Sequence, residues 1–303
     1  MLLYFYLLSF ALGTIIGSFL NVLIYRLNSG FGIGGRSQCF SCGKTLHWYE
    51  LVPLLSFLIL RGRCSVCKSR ISFQYPIIET LTGITFTLLL HEGSKLFGLV
   101  INPLSTLWFA LCATIFSILI VIVVYDIRHK IIPDSLAILF GALSLVYFII
   151  FKSPLLFFYT HGVSLISSTF FIPLCLSLVS GLAFFMFFFI FWFFSKGTWM
   201  GLGDAKLAVG IGWFLGWSAG IASLMISFWT GAIVGLFLIA ISKLVVKISE
   251  QRKLSRLSAL LRGITIKTEV PFAPFLVFAL FFVFFLGIDL RALQAFITSV
   301  FYL

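Results

Sequence analysis

Charge is scarce in this chain. Asp and Glu number nine in 303 residues, and charged residues of all kinds make up 10%, against about 25% in a soluble domain. A chain this long with so little charge cannot keep a water-facing surface, so an ordinary soluble globular enzyme is excluded. No basic stretch precedes the first apolar run, and no small-residue cleavage site follows it. Residues 2–24 are therefore expected to stay as a membrane span and not to leave as a signal peptide. Low-complexity segments are absent, and outside residues 25–75 there is no stretch polar enough for a soluble domain. The net charge of +12 does not make nucleic acid a partner, because in a chain of this class the placement of basic residues reports membrane orientation.

What the chain has in abundance is apolar side chain. It is 61% hydrophobic with 38 Phe and a mean hydropathy of +1.17. A helix that crosses a bilayer needs about 20 mainly apolar residues. The pattern predicts an all-α polytopic membrane protein with about eight transmembrane helices. These fall near 2–24, 76–90, 104–125, 135–151, 171–194, two within 205–241 broken near Gly216, and 272–288, with a short tail after the last. Of the 21 Lys and Arg, all but Lys95, Lys152 and Arg291 then lie in the loops on one side. The excess of positive charge places that side in the cytoplasm. The basic loop at 243–269 has Leu254, Leu257, Leu260 and Leu261 at helical spacing and is expected to lie on anionic lipid. A partner-binding helix is the alternative there.

Six cysteines divide into two classes. Cys112 and Cys175 stand alone in apolar spans, where a free Cys behaves as a small hydrophobe. Cys39, Cys42, Cys64 and Cys67 form two C-x-x-C pairs in the polar loop, close to the spacing of a four-cysteine structural zinc site. Lys44, Arg61, Arg63 and Lys68 nearby favour thiolates, and so short a loop would draw folding energy from the metal. On a cytoplasmic loop, disulfides rarely persist. An iron–sulfur cluster fits the same spacing.

Two acids stand at span edges. Asp204 follows Gly201-Leu202-Gly203, where it could cap the next helix or act chemically, since an acid at membrane depth is costly. Asp126 ends the run Ile122-Val123-Val124-Tyr125, where a carboxylate opposes the helix dipole unless Arg128 or Lys130 offsets it. Asp134 after Pro133 opens a helix and is explained by that position. Topology puts Asp126 and Asp204 at the same cytoplasmic boundary. Two close carboxylates share one proton and can activate a water and protonate a substrate, as in aspartic proteases. The glycines would give a substrate backbone room to approach.

The ordered set of motifs resembles the type IV prepilin peptidase family, membrane aspartic peptidases of the GxGD class. It runs along nearly the whole chain. Gly17-Ser18-Phe19-Leu20-Asn21-Val22 with Tyr25-Arg26-Leu27 comes first, then the cysteine pairs around Val52-Pro53-Leu54-Leu55-Ser56. Arg61-Gly62-Arg63-Cys64 and Ile71-Ser72 through Tyr75-Pro76 to Glu79 follow. Asp126 with Ile132-Pro133-Asp134, then Gly201-Leu202-Gly203-Asp204 with Lys206-Leu207, then Pro271-Phe272-Ala273-Pro274-Phe275 complete it. Departures are Asn28, Phe40 and Glu50, where the family usually has Pro, Pro and Asp.

The resemblance implies cleavage of prepilin or pseudopilin leader peptides after a Gly on the cytoplasmic face of a bacterial inner membrane. Asp126 and Asp204 would be catalytic, with Gly201, Gly203, Lys206, Pro133 and Asp134 supporting the motif. It also implies N-methylation of the new amino terminus from S-adenosylmethionine. Gly62 and Glu79 are the candidates there, in an N-terminal part at 1–92 that precedes a peptidase domain at 100–303. The structural zinc would sit on Cys39, Cys42, Cys64 and Cys67. Two readings from other classes stand beside this one. A transporter with intramembrane acids would show internal repeats with broken helices in both halves, and only one half has such a break. An inactive pilus or secretion scaffold would have no use for an intact pair of acids.

Overall fold

The structure is a computed structural model that describes residues 2–27, 34–98, 102–152, 168–198, 200–252 and 271–301. Asn28, residues 153–167 and residues 253–270, which hold most of the basic loop, lie outside the described residues. The described chain is helical, with no β-strand among these residues. Its helices are α1 (Leu2–Arg26), α2 (Leu55–Ile59), α3 (Gln74–Phe97), α4 (Pro103–His129) and α5 (Asp134–Tyr147, continued by a π-turn over Phe148–Lys152). They go on with α6 (Ser168–Ser195), α7 (Leu202–Leu215), α8 (Trp217–Arg252), α9 (Ala273–Leu286) and α10 (Leu290–Phe301).

Five of these are long and apolar enough to cross a membrane: α1, α4, α5 with its π-turn, α6 from Leu178, and α8 to Lys243. The other three expected spans fall on α3, α7 and α9. Helix α3 has the length but carries Glu79, His91, Glu92 and Lys95. Helices α7 and α9 have 14 residues each, about 21 Å at 1.5 Å per residue. The break expected near Gly216 is there: Gly216 has φ +81 and separates α7 from α8. The expected short tail is instead helical. Asp289 starts α10 by accepting the Ala292 N–H at 2.8 Å, and Leu293 is buried.

The chain divides into two compact units, one of residues 1–125 with 146–152, the other of residues 126–145 with 153–303. In the first, α1 packs along α3. Small residues let the two backbones meet, as is usual for helices in lipid. A Cβ on Gly13 would sit 2.7 Å from the Thr82 carbonyl oxygen. The Ser9 hydroxyl donates to the Phe86 carbonyl at 2.9 Å, and Asn21 Nδ2 reaches the Tyr75 carbonyl at 3.3 Å. Ile24, Ile78 and Leu89 fill the seam.

The second unit is built around α7, most of whose residues are buried. The Ser180 hydroxyl on α6 donates to the Gly212 carbonyl at 2.9 Å, and Trp213 Nε1 donates to the Leu178 carbonyl at 3.4 Å. Phe140 on α5 fills the space left by Gly210. At the other end of the unit, Phe188, Phe228 and Phe272 cluster with centroids 5.2–6.1 Å apart. That cluster seats the start of α9 against α6 and α8.

Candidate active site and metal centre

Asp126 lies in the last turn of α4, which closes when the Lys130 N–H bonds the Asp126 carbonyl at 2.7 Å and Lys130 turns to φ +54. Its side chain is buried, with the residue only 5% exposed. The Ala273 backbone N–H donates to its carboxylate, while Oδ2 has no hydrogen-bond partner. Among the described residues no ion pair involves Asp126. Lys130, one of the two cations that could have offset it, makes no ion pair with it.

The donor is a free amide of the first turn of α9, where four N–H groups have no intrahelical partner. Phe272 is the N-cap, and Pro274 lies in the first turn. Sequence reasoning quoted Pro271-Phe272-Ala273-Pro274-Phe275 only as a resemblance and missed this contact. The signal was available, since a proline just inside a helix start marks unpaired amides beside it.

Asp204 is the third residue of α7 and only 7% exposed. Its carboxylate accepts the Gly201 N–H, the acid half of a capping box. It lies near enough to Asp126 for the two charges to interact. The structure thus brings the two expected acids into one buried neighbourhood of one unit.

The two glycines of the motif do different things. A Cβ on Gly203 would fall 2.9 Å from the Ile132 Cβ, so this glycine lets α7 approach the segment that follows Asp126. Gly201 has ordinary extended backbone, φ −76 and ψ 148. A Cβ there would lie 3.7 Å from Asp204 Oδ2, so the glycine keeps the approach to the carboxylate open. Asp134 opens α5, as its position suggested, and also accepts an ion pair from Lys206 Nζ at 2.6 Å. With Asp134 67% exposed at its side chain, the pair fixes register more than it stabilises. Pro133 accepts the Leu136 and Ala137 N–H groups and so starts the helix.

In the first unit, Cys39, Cys42, Cys64 and Cys67 converge, with all four sulfurs within 4.8 Å of one another. Cys39 and Cys67 Sγ are 3.8 Å apart. Four thiolates each about 2.3 Å from one zinc would lie about 3.8 Å apart, so the donor set fits a tetrahedral ion. The two pairs have the same local fold. The Cys39 N–H bonds the Lys44 carbonyl and the Cys64 N–H bonds the Ser69 carbonyl, both at 2.9 Å. Each turn closes through a residue of positive φ, Gly43 and Lys68. The Ser41 and Cys42 N–H groups bring the Cys39 thiol down to about 6, and the Ser69 hydroxyl and N–H lower that of Cys67. Both shifts favour the thiolate that a metal binds, whereas burial and the neighbouring Cys67 and Cys39 push the Cys42 thiol up to about 11.

One buried carboxylate ties the two turns together. Glu50 accepts Lys44 Nζ at 2.9 and 3.1 Å, the His47 N–H at 2.9 Å and the Ser65 hydroxyl. These bonds hold its carboxyl down at about 2, with Ser65 the largest cause, then His47 and Lys44. Sequence reasoning noted Glu50 only as a departure.

The methyl-transfer candidates sit in the same unit. Glu79 is buried in α3. Its Oε2 accepts the Leu54 N–H at 2.8 Å, and the Ser18 hydroxyl also bonds it. Gly62 ends the α2 turn at φ +65, its N–H on the Phe57 carbonyl at 2.9 Å and its carbonyl taken by the Ile71 N–H at 2.8 Å. It therefore has a backbone reason to be glycine. Cys112 is fully buried and Cys175 exposed; neither joins the cluster.

Comparison with known proteins finds two family descriptions on the chain. Residues 11–92 match the bacterial peptidase A24 N-terminal domain, and residues 113–236 match the type IV leader peptidase family. Among curated relatives, the prepilin leader peptidase/N-methyltransferase of Legionella pneumophila is 33% identical over 241 residues, covering 80% of this chain and 69% of the relative. That of Myxococcus xanthus is 32% identical over 233 residues, 76% of this chain and 62% of the relative. That of Pseudomonas putida is 28% identical over 306 residues, 91% and 88%. No solved structure matches the chain.

Proposed function

The chain belongs to the type IV leader peptidase family, and from that membership we propose that it is a membrane aspartic endopeptidase that also methylates its product. Its substrates are type IV prepilins or pseudopilins, cut after a Gly on the cytoplasmic side of a bacterial inner membrane. The observation that carries this reading is the pair of buried carboxylates, Asp126 and Asp204, interacting in one unit and including an oxygen with no partner.

In this reading one carboxylate takes a proton from water as the hydroxyl adds to the scissile carbonyl. The other gives its proton to the carbonyl oxygen. Collapse of the tetrahedral intermediate breaks the C–N bond, and a proton passes to the leaving nitrogen. Ala273 and Gly201 hold the two side chains through their N–H groups. Lys206 with Asp134 keeps α7 in register with α5.

The N-terminal part, residues 1–92, is proposed to serve methyl transfer and the remainder, from 100, proteolysis. S-adenosylmethionine would supply the methyl group when bound. The buried acceptor Glu79 is suited to hold an amine or to take the proton that the new amino terminus releases. The four cysteines would hold a structural zinc. Eight crossings are proposed, with α3, α7 and α9 completing the five apolar spans, so that both termini face away from the cytoplasm.

The test incubates purified protein with a prepilin peptide, with and without S-adenosylmethionine, and weighs the products. The expected products are a shorter peptide in one case and the same peptide heavier by one methyl group in the other. Asp126→Asn and Asp204→Asn should each cut cleavage by on the order of 10²–10⁴-fold. Glu79→Gln should lower methylation and spare cleavage. Full cleavage by either Asn variant would overturn the assignment.

A further inference from the structure

The cysteine-bearing loop carries an exposed surface that the peptidase reading does not use. Helix α2 has no buried residue at all. Leu58 is 69% and Ile59 78% exposed, two adjacent aliphatic side chains facing out of the protein. Ile59 itself, with Leu60, Arg61, Arg63 and Lys68, lines an open cleft of about 520 Å³. No acid is among its lining residues. Among the described residues no hydrogen bond or ion pair engages the side chains of Arg61, Arg63 or Lys68. Three cations thus converge on one cleft, beside an apolar lip.

The position of this surface is fixed independently. The residue just before α2 is Leu54, strained at φ +61, and its N–H is held by Glu79 at 2.8 Å. Glu79 is the sixth residue of α3, roughly 8 Å from that helix's start. The start of α2 is therefore pinned beside the first two turns of α3, and the loop is tethered at its other end to α1. If α1 and α3 cross a bilayer, α2 can only lie at its surface.

We propose that this surface is an anionic phospholipid site. The cleft of Arg61, Arg63 and Lys68 seats a lipid phosphate, while Leu58 and Ile59 enter the boundary between headgroups and acyl chains. Charge complementarity selects the occupant, since juxtamembrane basic residues on the cytoplasmic side meet a negatively charged leaflet. Continuity with the membrane-embedded helices makes lipid the neighbour already present. The inference rests on the membrane setting of α1 and α3 and is independent of the catalytic pair.

The experiment is hydrogen exchange on the full-length protein in nanodiscs. One set is made of phosphatidylcholine alone and the other contains phosphatidylglycerol. Amides of residues 55–63 should exchange about tenfold more slowly with the anionic lipid, and the difference should shrink at high salt. The triple variant Arg61→Ala, Arg63→Ala, Lys68→Ala should lose the difference, and Leu58→Ser with Ile59→Ser should reduce it. Metal content and exchange at residues 39–45 report whether each variant keeps its fold. Free inorganic phosphate added to phosphatidylcholine discs should give no protection. Equal exchange in the two lipids would overturn the proposal. So would protection by phosphate alone, protection that survives the triple variant, or protection that appears only when a prepilin peptide is added. Loss of cleavage with lipid protection intact would count against the peptidase reading and leave this one standing.

Discussion

An acid at the third position of a helix ordinarily spends its carboxylate on the free N–H groups of the first turn. Asp204 does this through Gly201 and still lies within electrostatic reach of Asp126. Capping and chemistry are therefore compatible, and a substitution can separate them. Asn keeps the acceptor, so Asp204→Asn should leave the melting temperature nearly unchanged while cleavage falls by on the order of 10²–10⁴-fold. A large drop in stability alongside the lost activity would point to the cap alone. The glycines separate in the same way. Gly203→Ala drives a Cβ to 2.9 Å from the Ile132 Cβ, which is fixed to backbone, and should cost about 1–3 kcal/mol. Gly201→Ala meets only the Asp204 carboxylate at 3.7 Å. It should fold normally and raise KM if the substrate backbone passes over it. From sequence, both glycines read as room for a substrate. Their difference depends on Ile132, and a motif records neighbours along the chain, not across it.

The loop between α1 and α3 is held together by polar and sulfur contacts more than by a core. Cys→Ser at Cys39 or Cys64 should lower metal content and stability and slow methylation more than cleavage, as elemental analysis and the two product masses would show. Stoichiometric metal in a protein lacking all four thiols would exclude the site. Glu50 sets the loop's response to acid. Its folded value of about 2 lies below the usual 4.5, so its contribution is fully present above about pH 4.5 and is lost as pH falls through about 2. Glu50→Gln should therefore be less stable than the parent by about 2 kcal/mol near neutral pH. The gap should close toward pH 2, and a gap constant with pH would mean that the charge of Glu50 contributes nothing. The cysteine site was legible because ligand spacing is a local pattern. The network of Glu50 with Lys44 and Ser65 was not, since pairing across two turns leaves no periodic mark. The tail's helix was missed for a different reason: Asp289 was passed over as a cap.

At the scale of the whole molecule the open quantity is the number of crossings. Among the described residues hydropathy and length identify five, because both measures assume a helix facing lipid. Helix α7 faces protein. Ala205, Leu207, Ala208, Ile211 and Phe214 are all fully buried, so its 14 residues need satisfy only their neighbours, and small residues serve that better than long apolar ones. Its length of about 21 Å falls short of a hydrocarbon core of about 30 Å, which a locally thinned bilayer or the surrounding helices can accommodate. The charge bias favours crossing over re-entry. If α7 crosses, residues 195–206 and 243–269 lie on one side with Gly216 on the other, and the basic residues gather on one face. If it turns back, the basic loop moves to the opposite face from residues 25–75, against the bias. Alkaline phosphatase fused after Gly98, Gly216 or Ile288 should therefore be active, and fused after Lys130, Lys196 or Lys243 inactive. An inactive fusion at Gly216 with an active one at Lys243 would make α7 re-entrant, reverse the C-terminal half and reduce the count below eight.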